Sequence, residues 1–145
     1  MEIEDAIVAY LKTKTGLTAL ITHQRKNAAG AMENYVAIFA DEAPQGTPFP
    51  YVTYIDISDV KNHTHDGQLA NENPVKQFTV HAASKASSKA VATQLKAALC
   101  DYTGMLSGLE VEYITMINEF ASKDKTPDMS VNYVDLEFEI AYIRG

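Results

Sequence analysis

The residues best suited to chemistry in this chain are few and scattered. His63-Thr64-His65-Asp66 is the one metal-ligand spacing: two imidazoles two residues apart can chelate a cation. A structural or catalytic zinc needs at least one further fixed ligand, and only Asp66 is nearby, so a polar hairpin loop is the simpler reading. Cys100, the single cysteine, lies between Leu99 and Tyr102 without a basic neighbour to lower its pKa, which predicts a buried, inert thiol. His81 sits between Val80 and Ala82 on an apolar stretch and reads as a structural histidine. Glu110, Glu112, Asp135, Glu137 and Glu139 offer carboxylates for acid–base work, yet three of them alternate along one stretch, the pattern of a solvated sheet face. Glycine-rich phosphate loops, G-x-S-x-G and H-E-x-x-H are all missing from the sequence. The residues therefore predict a protein that is not an enzyme and that holds no cofactor and no metal.

The elements that must position these residues follow from periodicity. Ile3, Ala6, Ile7, Tyr10 and Leu11 recur at helical spacing behind Glu2, Glu4 and Asp5, which predicts a helix over 2–14 ended by Gly16. Leu17, Leu20 and Ile21 form one further helical turn, and the polar stretch 22–34 reads as loop. Tyr35–Phe39 is a short strand, followed by DEAPQGTPFP, where Pro44, Gly46, Pro48 and Pro50 preclude regular structure. Tyr51–Val60 and Val75–Ala83 read as strands of a hairpin with a polar loop over Lys61–Asn73. Ser84 or Ser87 caps a second helix whose apolar stripe is Val91, Leu95, Ala98, Leu99 and Tyr102, with Gly104 as its stop. Leu109–Phe120 and Ser130–Ile143 make a second hairpin. In the latter strand Val134, Leu136, Phe138, Ile140 and Tyr142 point one way while Asp135, Glu137 and Glu139 point the other. The expected fold is α+β over a single domain, 1–145. An antiparallel sheet of two hairpins and a short strand carries two amphipathic helices on one face.

Composition bounds the function. At 145 residues and 46% hydrophobic content the chain is long enough for one ordinary core. Its longest apolar runs, Ala6–Leu11 and Tyr35–Ala40, are six residues, far short of the ~20 needed to span a membrane, and MEIEDAIVAY lacks the basic start of a signal peptide. A soluble intracellular product is expected. The formal charge of −7 argues against gripping nucleic acid through its phosphates. Residues 101–145 carry 3 basic against 9 acidic side chains, so the last third supplies −6 of that charge.

Ala43–Tyr54, APQGTPFPYVTY, is the most distinctive stretch. Together with Leu17-Thr18-Ala19-Leu20-Ile21, FTVHAASKASSKAVATQLKAAL over Phe78–Leu99, and VNYVDLEFEIAYI at the end, it resembles the small tail-completion proteins of long-tailed bacteriophages and prophages, also called tail-terminator or tail-to-head joining proteins. The resemblance implies a virion component assembled in the host bacterial cytoplasm. Such a protein forms a ring of six copies on the tail tube protein, stops tube growth and offers a surface to the head connector protein. DNA would pass through that ring without specific binding. On this reading Pro44, Gln45, Gly46, Pro48, Phe49, Pro50 and Tyr51 are an interaction segment, and Glu110, Glu112, Asp135, Glu137 and Glu139 line the ring. The residues alone also fit a small α+β ligand-binding or regulatory module without catalytic activity.

Overall fold

The computed structural model describes residues 3–64, 67–125 and 130–143, and their side chains outside 58–73. The chain opens with α1 (Ile3–Leu11), whose Glu4 and Asp5 complement the positive end of the helix dipole. Ile3, Ala6, Ile7 and Leu11 form its buried stripe. The single turn expected next is a helix of its own, α2 (Thr15–Ile21), burying Leu17 and Ile21. Gly16 is therefore inside a helix and is not a terminator. No helix among the described residues is long and apolar enough to cross a membrane.

The polar stretch 22–34 is not a loop. It contains β1 (Thr22–Lys26) and most of β2 (Met32–Val36), an antiparallel pair forming a separate two-stranded sheet. The turn between them is built by Asn27, whose Oδ1 accepts from the Ala29 and Ala31 N–H groups at 2.9 and 3.1 Å. Gly30 completes it at φ +82°, a conformation that favours glycine. Nothing in the hydrophobic pattern marks these strands because they pair through the backbone, with side chains mostly exposed.

The remaining elements are β3 (Ile38–Ala40), β4 (Tyr51–Thr64), β5 (Gly67–Ala82), α3 (Lys85–Leu99), β6 (Gly104–Leu106), β7 (Leu109–Lys125) and β8 (Ser130–Ile143). Their strands form one six-stranded sheet in the order β3-β4-β5-β8-β7-β6. This corrects the expected fold class. The main sheet is mixed, because β3 runs parallel to β4, and the described residues form three helices and a second, smaller sheet. The Pro-rich segment supplies the physical reason. Parallel neighbours require the chain to return to its starting end, and residues 41–50 make that crossover without a helix. The expected polar loop at Lys61–Asn73 is strand as well: Val60 pairs with Asn73, Lys61 with Glu72 and His63 with Gln68. β7 likewise runs beyond Phe120 to Lys125, and the three-residue β6 was not foreseen.

The alternation in β8 is realised as expected. Leu136, Phe138, Ile140 and Tyr142 are fully buried, and Phe138 meets Phe78 of β5 edge-on at 6.0 Å. They share one core with α1, α2, α3 and the inward residues Val52, Phe78, Val80, Val111 and Ile114. Ser84 caps α3, its Oγ accepting from Ser87 N–H at 3.1 Å. The helix ends at Leu99, not at Gly104, which instead starts β6. Gly16 of α2 faces the Gln94 side chain of α3, whose Oε1 would lie 2.5 Å from a Cβ there and would have to swing aside. Tyr10 ties α1 to α3 by donating to the Ala98 carbonyl at 3.1 Å.

One charge is buried within this layer. Lys76 lies on the inward face of β5 with its side chain 4% exposed, paired to Asp56 opposite it on β4 and to Glu4 of α1 at 3.5 Å. The pair spans from sheet to helix.

Candidate functional site

The sheet has a covered face and an open one, and the open face carries the expected carboxylates. Because side chains alternate, the partners of Asp135, Glu137 and Glu139 share their face: Thr79, Gln77 and Val75 on β5, and Phe120, Asn118 and Thr115 on β7. Asp135 is held by hydrogen bonds. Thr79 Oγ1 donates to its Oδ1 at 2.7 Å and Gln77 Nε2 at 3.4 Å. Glu139 Oε1 accepts from the Tyr113 hydroxyl at 3.2 Å. Glu110 pairs with Ile143 and so lies on this face too, but at its far end. Glu112 occupies the irregularity between Val111 and Tyr113 and is exposed. No two of the five stand directly opposite one another, so the like-charge repulsion expected of facing carboxylates is avoided.

An aromatic row crosses the same face beside the acids. Phe49 stacks on Tyr51 at 5.5 Å, Tyr51 on His81 at 4.5 Å, and His81 meets Tyr133 edge-on at 5.1 Å. The row follows the register Tyr51–His81–Tyr133 across three strands. His81 Nε2 lies 3.0 Å from Thr53 Oγ1, consistent with a histidine satisfied within the structure. Burial pushes its pKa below the usual value, and Asp135 offsets part of that fall. Burial raises the Tyr51 pKa, with Tyr133 adding to it.

The Pro44–Tyr51 segment ends in this row. Pro50 O lies 2.8 Å from His23 Nε2 of β1, and Thr47 Oγ1 donates to Pro44 O at 2.6 Å. Pro44, Gln45, Gly46, Thr47 and Pro48 border a shallow cleft with Gln24 and Arg25 of β1 and Tyr35 of β2. The segment is thus both the β3-to-β4 crossover and a wall against the small sheet.

A feature of opposite sign was missed. Lys85 and Lys89 of α3, with Lys123 of β7, line one cleft, and Lys89 and Lys96 line the adjoining one. Lys96 is paired to Glu119 at 2.7 Å. Its signal in the sequence is the pair Lys85 and Lys89, four residues apart on one helix and masked by the net acidity of the chain.

The chemistry candidates remain apart. His65 and Asp66 lie outside the described residues, as does the side chain of His63. Among the described residues no three His, Cys, Asp or Glu side chains are grouped to hold a metal ion. Cys100 is half-buried at the end of α3, and burial, with Asp101 next in effect, raises its thiol pKa.

The fold is shared with a virion component. A chain solved as "Virion of native gene transfer agent (GTA) particle" superposes with a TM-score of 0.65, covering 97% of this chain and 93% of its own, at 22% identity. A further solved chain, 16% identical over 94% of both chains, superposes with a TM-score of 0.46. No curated protein matches the sequence. The family model described as tail completion protein gp17 matches residues 5–143, and the chain belongs to this family of phage tail structural proteins.

Proposed function

We propose that this protein closes the phage tail: six copies form a ring on the tail tube protein, stop its polymerisation and present the surface to which the head connector protein binds. Assembly takes place in the host cytoplasm, and the protein acts as a scaffold without a catalytic step. The family match across residues 5–143 carries the tail role. The two-sided distribution of charge supports the ring. Asp135, Glu137, Glu139 and Glu110 share the sheet face opposite the core that the helices pack into, whereas the lysine clefts border α3. A channel lined by that open face would repel DNA phosphates and let the genome slide, because attraction to many phosphates would make it stick. The crossover Pro44–Tyr51 serves as a preordered contact arm, since prolines reduce the freedom lost on docking.

Electron microscopy of tails made with and without the protein tests the reading. Overlong, headless tails are expected in its absence; tails of normal length would refute it. Neutralising Asp135, Glu137, Glu139 and Glu110 to Asn and Gln should leave heads joined to tails yet slow DNA ejection, most visibly at low salt. Replacing Pro48 and Pro50 by alanine should weaken ring assembly more than monomer stability.

A further inference from the structure

Backbone N–H and C=O groups along a sheet edge need partners, so a long uncovered edge is a template for another strand. Among the described residues the main sheet has two such edges. β6 pairs only with Leu109–Val111 of β7, and Asp101 N–H occupies the Ile114 carbonyl at 3.0 Å, so no strand flanks Thr115–Lys125 on that side. At the other side β3 pairs only with Val52–Tyr54 of β4, so Ile55–Thr64 is uncovered. The two short covering strands sit at opposite ends of the sheet. β3 is level with Val80, Val134 and Ala121, whereas β6 is level with Tyr142 and Glu72.

Exposed apolar side chains collect on these same edges. Ile57 of β4 is 47% exposed, and Ile117 and Phe120 of β7 are 49% and 59% exposed. Each edge also carries an irregularity, between Asp56 and Ser58 and between Met116 and Asn118. Bulges of this kind increase local twist and so restrict which strand can pair there.

Direction decides the partner. The three steps β4-β5, β5-β8 and β8-β7 are all antiparallel, so β4 and β7 run in opposite directions. A second copy held in the same orientation therefore brings its β4 antiparallel to β7 of the first. The geometry points to head-to-tail association of copies of this chain, with the β7 edge Thr115–Lys125 of one pairing with the β4 edge Ile55–Thr64 of the next. Such a contact uses two different patches, leaves a free edge of each kind at the ends, and closes into a ring when the rotation between copies allows. It names the contact within the ring proposed above and rests on that reading for closure.

Two variants test it, Ile57→Lys on the β4 edge and the double change Ile117→Lys, Phe120→Lys on the β7 edge. All three sites are exposed, so unchanged far-UV circular dichroism and melting temperature confirm folding. Native mass spectrometry and sedimentation of the free proteins, and cross-linking on purified tails, read the oligomer. Wild-type protein should assemble beyond the dimer, and each variant alone should lose every species above monomer. An equal mixture should give a dimer and nothing larger, because one variant keeps its β7 edge and the other its β4 edge. Dimers of Ile57→Lys alone would mean that β7 pairs with itself and would overturn head-to-tail pairing. Wild-type-like oligomers in both variants would overturn edge pairing and leave the ring reading standing. Wild-type monomers both free and on tails would remove the ring along with it.

Discussion

Replacing Asp56 by asparagine should destabilise the protein several-fold more than replacing Lys76, its buried partner, by methionine. The asymmetry follows from where the water is. The Lys76 side chain is 4% exposed, whereas Asp56 is 58% and Glu4 27% exposed. Breaking a fully buried ion pair costs about 3–5 kcal/mol, and a fully exposed pair is worth about 0–1 kcal/mol. Here only the cation is desolvated, so removing its nearest anion should cost about 2 kcal/mol, between those limits. Glu4, at 3.5 Å, retains part of the compensation. Methionine matches the lysine stem and removes the desolvation penalty together with the attraction, so Lys76→Met should lie within about 1 kcal/mol of wild type. Urea unfolding followed by circular dichroism, or by the emission of the eight tyrosines in a chain without tryptophan, reads the difference. With a denaturant slope of about 2 kcal/mol/M, Asp56→Asn should lower the midpoint by about 1 M and Lys76→Met by less than about 0.5 M. The double variant should resemble Lys76→Met alone, since the charge needing Asp56 is gone. Equal losses for both single variants would refute this account of Lys76.

Ser84→Ala should cost about 1 kcal/mol, read as a lower melting temperature, because the Ser87 N–H loses its cap. Stability should fall as pH drops below about 6.5, since the unfolded chain protonates His81 before the folded one does. The decline should level off below the folded pKa, and a His81→Gln variant titrated alongside should lack that part of the slope. Cys100 should react with iodoacetamide at pH 8 several-fold more slowly in the native protein than in urea, because burial raises its pKa; equal rates would place the thiol in the open.

The sequence was legible where side chains do the sorting. In β8, Leu136, Phe138 and Ile140 alternate with Asp135, Glu137 and Glu139, and that period alone assigns the strand and its buried face. Ser84 as a cap and the α1 stripe were readable for the same reason. β1 and β2 were not, because THQRK and MENYV pair through backbone groups that every residue carries. The reach of β4 and β5 through a polar stretch was hidden in the same way. Strand direction left no trace either: nothing in Ile38–Ala40 distinguishes a parallel neighbour of β4 from an antiparallel one. The acidic set was found as a group, but its division among β8, one end of β7 and a bulge depended on register, which spacing within a strand cannot reveal.

The position of β8 governs how the chain can fold in time. Among the described residues it is the last strand in sequence yet lies between β5 and β7, so the β4-β5 and β7-β8 hairpins form from near neighbours. The seam that joins them does not. Ala82 meets Asn132 and Asn71 meets Ile143 across 50 and 72 positions of chain. Closing such distances carries loop entropy before any contact rewards it, so the β5-β8 seam is expected to form after the two hairpins. During synthesis at about 5–20 residues per second, β5 waits several seconds for β8 with its inner edge bare. The apolar surface of Phe78 and Val80 then has α1, α2 and β4, already made, and α3, made in between, as its partners in the core. The helices and the β4-β5 hairpin thus hold their part of the core before the other hairpin exists.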